Sequence, residues 1–236
     1  MDTVAALLAA VREREGVAFD APDRTTAYSS HELATTAWKA ANLLSHFGVR
    51  PGARVAVVVG PGDPGPDDEP GFLAATPQPL LAALGALRLG ASVDLAPGAT
   101  VDATALVAPA AWLDRYDAAP GCTRLAYGAQ PSDPAVEHFE RQVWSENPVE
   151  PPETVDPDAV ALADRGTTQS ALLDEAVSVA AEYGMADRRV AVRGRLDGTV
   201  LARGVLAPLS AGGTVVGGQD GAGDLLLNED GDVIAR

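Results

Sequence analysis

Short apolar runs alternate with longer amphipathic stretches along most of this chain, and that alternation limits the fold more than any other feature. The run 54–59 is followed by a helical pattern over 78–89 and then a run at 92–95. The same succession recurs at 160–163, 170–183 and 189–192, and again at 200–210 and 214–216. Parallel strands need a crossover between them, and a helix supplies it, so strand–helix–strand order predicts an α/β fold. The expected architecture is a mostly parallel sheet, or sheets, covered by helices. Further strands are expected at 25–28, 104–107 and 123–127, a helical turn at 111–116, and a helix over 134–144. With 236 residues, 47% of them hydrophobic, the chain has ample material for a core.

Local signals set the ends of these elements. Asp2 is placed to cap a helix over 4–11. Ser29 and Glu32, three apart, form a capping-box pattern ahead of a helix carrying Leu33, Trp38, Ala41, Leu43, Leu44 and Phe47. Gly48 and Gly90 read as helix stops. The segment SENPVEPPETVDPD, 145–158, is rich in proline and acid and marks a subdomain break. Residues 224–234 read as a hairpin turning at Asp230-Gly231. The expected organisation is therefore one α/β domain over 1–217, with the break at 145–158, and a hairpin-like tail over 218–236. No internal repeat is visible.

Charge narrows the partners. The chain has 33 acidic and 17 basic residues, a formal charge of −16, and Lys39 is its one lysine. At molar ionic strength the Debye length is about 3 Å, so repulsion among surface carboxylates is screened. The composition reads as that of a protein kept soluble in concentrated salt; an acidic protein of ordinary salt is the alternative. No basic patch exists to release counterions from nucleic acid or to hold anionic lipid, so neither is expected as a partner. Cys122 is the only cysteine, which excludes an intrachain disulfide and cysteine-rich metal sites. It is expected to be a structural thiol. The N-terminus lacks a basic secretory n-region, and apolar runs such as 80–87 are too short to span a bilayer. A cytoplasmic protein is expected.

The stretch VAVVVGPGDPGPDDEP, 55–70, contains Gly60, Gly62 and Gly65 in G-x-G-x-x-G spacing after a strand, the outline of a dinucleotide-binding turn. Such a turn points backbone N–H groups and a helix N-terminus at the anion. Here Pro61, Pro64 and Pro66 have no N–H, and no helix follows at once. Asp63, Asp67, Asp68 and Glu69 would repel a phosphate, since one like-charge pair at 4 Å costs about 1 kcal/mol even in water. The segment is expected to be a solvated loop.

The order of segments resembles the adenylate-forming acyl-CoA synthetase and ligase superfamily. TTAYSSHELATTAWKAANLLSHFGVRPGARVAVVV is similar to its opening, LLAALGALRLGASVDLAPG to its next helix and strand, and GVLAPLSAGGTVV (204–216) to a later segment. The match runs in order from about residue 3 to 217, and much of the family's later sequence has no counterpart. The family's phosphate loop reads like TSGTTGxPKG. The resemblance places it at Asp164-Arg165-Gly166-Thr167-Thr168-Gln169-Ser170-Ala171-Leu172. Gly166, Thr167 and Thr168 match. Gln169 stands for the flexible glycine, Ala171 for the proline and Leu172 for the lysine. Thr167 and Thr168 could donate to an anion with Arg165 adding charge, or one of them simply caps the next helix. AGDLLLNEDGDVIAR (222–236) is similar to the family's TGDL segment, which would make Asp224 the ribose-holding aspartate; a hairpin with an acidic turn is the other reading.

The resemblance also implies a lysine on a mobile C-terminal domain for adenylation, and Lys39 lies instead in the first long helix. The function expected is thus a catalytically degenerate relative, a non-catalytic binding or regulatory module that needs no cofactor and associates with itself or a protein partner. The alternative is a residual ligase that activates a carboxylate with ATP or AMP and magnesium, using Arg165, Gly166, Thr167, Thr168 and Asp224. His31, His46 and His138 show no metal-ligand spacing, and no G-x-S-x-G elbow is present. Trp38, Trp112 and Trp144 are expected as core or half-core anchors.

Overall fold

Ser29 and Glu32 close the capping box that their spacing predicts. Ser29 Oγ accepts from the Glu32 N–H at 3.2 Å, and the Ser29 N–H donates to Glu32 Oε2 at 3.0 Å. The helix they start, α2 (Ser30–His46), ends at Gly48, whose φ of +86° suits glycine. The computed structural model describes residues 1–21, 25–228 and 230–235. The preceding helix, α1 (Val4–Arg12), is capped by Thr3 rather than Asp2: Thr3 has extended backbone and accepts from the Ala6 N–H at 3.1 Å, while Asp2 pairs with the terminal ammonium.

Two sheets carry the fold. The seven-stranded sheet contains β3 (Arg54–Val57), β4 (Ser92–Asp94), β6 (Ala105–Pro109), β8 (Thr123–Tyr127), β9 (Glu137–His138), β10 (Val160–Leu162) and β11 (Thr167–Thr168). Their spatial order is β11-β10-β4-β3-β6-β8-β9, parallel except for the β10–β11 hairpin. The six-stranded sheet contains β1 (Val17–Asp20), β2 (Tyr28–Ser29), β12 (Arg189–Val192), β13 (Thr214–Val216), β14 (Leu225–Leu227) and β15 (Val233–Ala235). Its order is β15-β14-β12-β13-β1-β2, and its central pairs are parallel. A separate ribbon pairs β5 (Thr100–Val101) with β7 (Asp117–Ala118).

The remaining helices are α3 (Gln78–Arg88), α4 (Phe139–Ser145), α5 (Gln169–Glu182), α6 (Gly198–Val200) and α7 (Ala207–Ala211), with a π-helical segment, Leu201–Leu206, joining the last two. Helices α1, α2, α3, α5 and α7 share one apolar core with the facing residues of both sheets. Strand β3 shows the period-two logic: Val55 and Val57 enter that core, while Ala56 and Val58 face a second cluster around Trp112. That cluster is covered by the 3₁₀ turn Ala110–Arg115, the helical turn expected there. Trp112 is buried as expected, whereas Trp144 is exposed.

Two further expectations need correction. The segment 134–144 is not one helix: Glu137 and His138 pair in parallel with Leu125 and Ala126, and only then does α4 begin, with His138 as its cap. The strand expected over 25–28 is shorter and later, at Tyr28–Ser29, and β1, unexpected from the sequence, buries Ala18 and Phe19 beside it.

Residues 145–158 lie along α2 and α3. Asn42 Nδ2 donates to the carbonyls of Asn147 (3.2 Å) and Val149 (2.9 Å), and His46 meets Glu146 at 2.8 Å. Arg88, only 3% exposed, donates to the carbonyls of Pro151 and Glu153 and pairs with Glu150 at 3.1 Å. Arg88→Met keeps the stem but orphans those oxygens. It is expected to cost about 2 kcal/mol and to speed limited proteolysis within 145–158, read by mass spectrometry of the first cut.

Candidate functional site

The loop after β3 uses Gly60 and Gly62 for close packing. A Cβ on Gly60 would lie 2.3 Å from the Trp112 ring, and Gly62 stacks on Gly128 so tightly that a Cβ on Gly128 would lie 1.7 Å from the Gly62 carbonyl oxygen. Several N–H groups along the loop are already taken. Gly62 donates to Thr76 Oγ1 (3.0 Å), Gly65 to Asp68 Oδ2 (2.7 Å) and Gly71 to the Val59 carbonyl (2.8 Å). The Tyr127 hydroxyl donates to the Val58 carbonyl at 2.8 Å, with the Gly60 carbonyl at 3.2 Å. Burial pushes the Tyr127 phenol well above its ordinary pKa, so it stays a donor. Beside this loop, Pro61, Asp67, Phe72, Gly218 and Asp220 help line an open cleft of about 560 Å³. It lies beyond the carboxyl ends of β3 and β13, where open α/β sheets take ligands. Its lining is acidic, and among the described residues no group of three or more His, Cys, Asp or Glu side chains could hold a metal ion.

The segment with the phosphate-loop resemblance is the turn of the β10–β11 hairpin. Gly166 occupies it with φ of +63°, its N–H bonded to the Leu162 carbonyl at 3.0 Å. Arg165 is engaged by two carboxylates, Asp164 at 3.3 Å and Asp197 at 3.5 Å, and donates to Thr199 Oγ1 at 2.9 Å. Thr167 pairs with Leu162 across the hairpin, and Thr168 caps α5, its Oγ1 accepting from the Ala171 N–H at 3.2 Å. The capping reading of this threonine pair thus falls to Thr168.

Gln169 is the residue that sequence reasoning missed. It is fully buried. Its Oε1 accepts from the Val4 N–H at 2.9 Å and its Nε2 donates to the Leu87 carbonyl at 3.0 Å. One side chain therefore ties the first turn of α1 to the last turn of α3. The only local signal is that a polar residue follows a capping threonine where a helix buries its first turn.

Asp224 sits apart from that hairpin. Its Oδ2 accepts from the Arg189 N–H at 2.8 Å, and its carbonyl accepts from the Arg188 guanidinium at 3.3 Å. It thus occupies the amino end of β12, whereas Asp197 and Thr199, the partners of Arg165, follow that strand's carboxyl end. About 10 Å of strand separates the two levels. The expected hairpin is present: β14 and β15 pair antiparallel, Gly231 turns with φ of +79°, and β14 also joins β12 in parallel. Glu229 and Arg236 of this segment lie outside the described residues. Cys122 is half-buried, and burial raises its thiol pKa, so the thiolate is disfavoured.

No family model matches the chain, and no curated protein sequence matches it. Solved structures do match in fold. The anthranilate CoA ligase AuaEII, in complex with anthranoyl-AMP, superposes with a TM-score of 0.67 at 13% identity, over 91% of this chain and 44% of the ligase. A benzoate CoA ligase from Burkholderia xenovorans gives 0.66 at 21% identity, over 92% and 45%. ATP-bound MatB from Rhodopseudomonas palustris gives 0.66 at 14% identity, over 90% and 44%. The chain therefore has the fold of the N-terminal part of AMP-forming CoA ligases and spans less than half the length of these matches. Among its described residues no helix is long and apolar enough to cross a membrane.

Proposed function

We propose that this chain is a non-catalytic binding or regulatory module, built on the front half of the ligase fold without its phosphate chemistry and suited to concentrated salt. One observation carries the reading: Gln169, standing where the resemblance puts the flexible glycine of the phosphate loop, is locked into the core by two hydrogen bonds. A loop so anchored cannot close over a triphosphate. Arg165 supports the same reading, because its charge is answered by Asp164 and Asp197 rather than held for an anion. The second reading, a ligase activating a carboxylate with ATP and magnesium, is favoured by the fold shared with structures that hold anthranoyl-AMP or ATP. It would use Arg165, Gly166, Thr167 and Thr168 for phosphate and Asp224 for ribose.

Melting temperature in molar salt separates the two. A nucleotide at a hundred times its dissociation constant stabilises by about 2.7 kcal/mol. The module is expected to show no shift with ATP or AMP in the presence of magnesium; a saturable rise with either supports the ligase. Self-association or a protein partner belongs to the same proposal. Ile234 on the outer strand β15 and Trp144 beside α2 are exposed apolar side chains of the kind such contacts cover.

A further inference from the structure

The two sheets have four outer strands, and three of them are closed off in the same way. Strands β2, β9 and β11 are two residues long and run straight into α2, α4 and α5. The antiparallel pairs β1–β2 and β10–β11 also shift register, a device that blunts an edge. Strand β15, Val233–Ala235, has neither protection. It pairs with β14 in one unbroken register, carries no proline or charge, and presents Ile234 at 46% exposure. Among the described residues no strand lies on its far side. Such an edge is a template for another strand.

The hydrogen-bond phase of the hairpin fixes what the template offers. The Asn228 N–H donates to the Asp232 carbonyl at 3.1 Å, which makes these two a hydrogen-bonded pair. Pairs of that kind alternate along an antiparallel ladder, so Leu226 and Ile234 form the next one. The Leu227 carbonyl agrees with this phase by turning the other way, to the Arg193 N–H at 3.0 Å. Val233 and Ala235 therefore aim their N–H and C=O groups away from β14, at the open edge. A two-fold axis perpendicular to the sheet keeps every side chain on its own face, so it must set one residue opposite its own copy. With the axis at Ile234, Val233 meets Ala235 of the second copy as a hydrogen-bonded pair, twice over, for four bonds in all. With the axis at Val233 or at Ala235, the strand makes only two. Ile234 shares the outer face with Leu226, so the axis at Ile234 also extends an apolar row across the junction. In the sequence Asp232 and Arg236 stand two residues to either side of Ile234, so the same register sets unlike charges opposite each other.

We propose that β15 pairs antiparallel with β15 of a second copy about a two-fold axis at Ile234, joining the two six-stranded sheets edge to edge. This names the partner in the self-association put forward above and rests on that reading. Backbone groups alone would accept any strand. Ile234 facing Ile234, and Asp232 crossed with Arg236, are what a second copy adds. The edge is short, so the dimer is a weak one, with a dissociation constant on the order of 10 μM.

Sedimentation velocity of the full chain, from about 1 to about 200 μM, tests this. Molar salt suits it, because the repulsion between copies of charge −16 is then screened. A reversible monomer–dimer step is expected. Ile234→Lys sets ammonium against ammonium at the axis and is expected to weaken the dimer at least about tenfold. Ala235→Pro removes an N–H that β14 does not use, and with it two of the four bonds, and is expected to weaken the dimer about tenfold. Both changes lie at exposed positions and leave the monomer folded, as melting curves will verify. Ile234→Cys, in a Cys122→Ser background, is expected to oxidise to a linked dimer, since a non-hydrogen-bonded pair holds its Cα atoms about 4.5 Å apart. Leu226→Cys in the same background lies three strand spacings from its copy, about 14 Å, and is expected to stay free. A monomer throughout the concentration range overturns the proposal. So does a dimer that survives both Ile234→Lys and Ala235→Pro, because another surface then holds it, and so does Leu226→Cys linking as readily as Ile234→Cys. The nucleotide titration above does not depend on these outcomes, so failure of the binding-module reading and failure of this interface are told apart.

Discussion

Gln169→Leu is expected to lower the unfolding free energy by about 3 kcal/mol. Leucine nearly conserves the volume, so the loss comes from hydrogen bonding and not from a cavity. The Val4 N–H belongs to the first turn of α1, where no intrahelical carbonyl is available, and Gln169 Oε1 is its acceptor at 2.9 Å. Replacing that oxygen by a methyl leaves a buried donor unpaired. The Leu87 carbonyl suffers less, because it also accepts from the Gly90 N–H at 3.1 Å. Urea unfolding in molar salt, with the slope compared to wild type, gives the number; a loss under about 1 kcal/mol would mean the bond is incidental. Gln169→Gly is the sharper companion, since it installs the residue that the phosphate loop of the ligases carries in the resemblance. It is expected to be at least as destabilising, through the void and the helix-start glycine, and to gain no ATP-dependent rise in melting temperature. Restored nucleotide binding in a stable Gln169→Gly protein would return the β10–β11 hairpin to phosphate chemistry.

What could be read from the sequence, and what could not, divides by range. Strands β8, β12 and β13 fall at their expected positions because each is a short apolar run between a turn signal and a helical pattern. The Ser29–Glu32 capping box and the Gly48 stop are equally local. Two-residue strands such as β5 and β7 have no period to detect, and β1 offers only Ala18 and Phe19 facing inward. His138 reads as helix because its neighbours are helix formers, yet pairing with β8 holds it extended. The site was hardest for the same reason. Thr168 is legible as a cap, while Gln169 acts on a residue 165 positions away. The segment 145–158 looks detached by composition, but the anchors Arg88 and Asn42 come from helices far upstream and are invisible until the chain is folded.

Gly128→Ala is expected to cost more than about 3 kcal/mol. Two terms add. An alanine at φ of +81° pays about 1 kcal/mol of backbone strain. Its Cβ would also sit 1.7 Å from the Gly62 carbonyl oxygen, inside any tolerable contact, so backbone must move. Retreat is blocked on both sides. Gly62 is held by Thr76 and the loop's base by Tyr127, while Gly128 itself is held through its N–H by Glu140 and through its carbonyl by His138. Gly121→Ala is the control: φ is +87° there but no atom lies within 4 Å of the added Cβ, so only the strain of about 1 kcal/mol is expected. The same contrast settles what the G-x-G-x-x-G spacing at 60–65 is for. Gly65 has no positive φ, and a Cβ on it meets only Asp68 at an ordinary 3.5 Å, so Gly65→Ala is expected to be nearly neutral. Gly60→Ala drives a methyl to 2.3 Å from the Trp112 ring and is expected to cost about 2 kcal/mol. A phosphate-binding turn needs backbone access along its whole length, whereas a packing turn needs glycine only where another group presses on it. Melting curves of these variants in molar salt therefore read the loop's purpose directly: severe at Gly128, substantial at Gly60 and slight at Gly65 is the order that close packing requires.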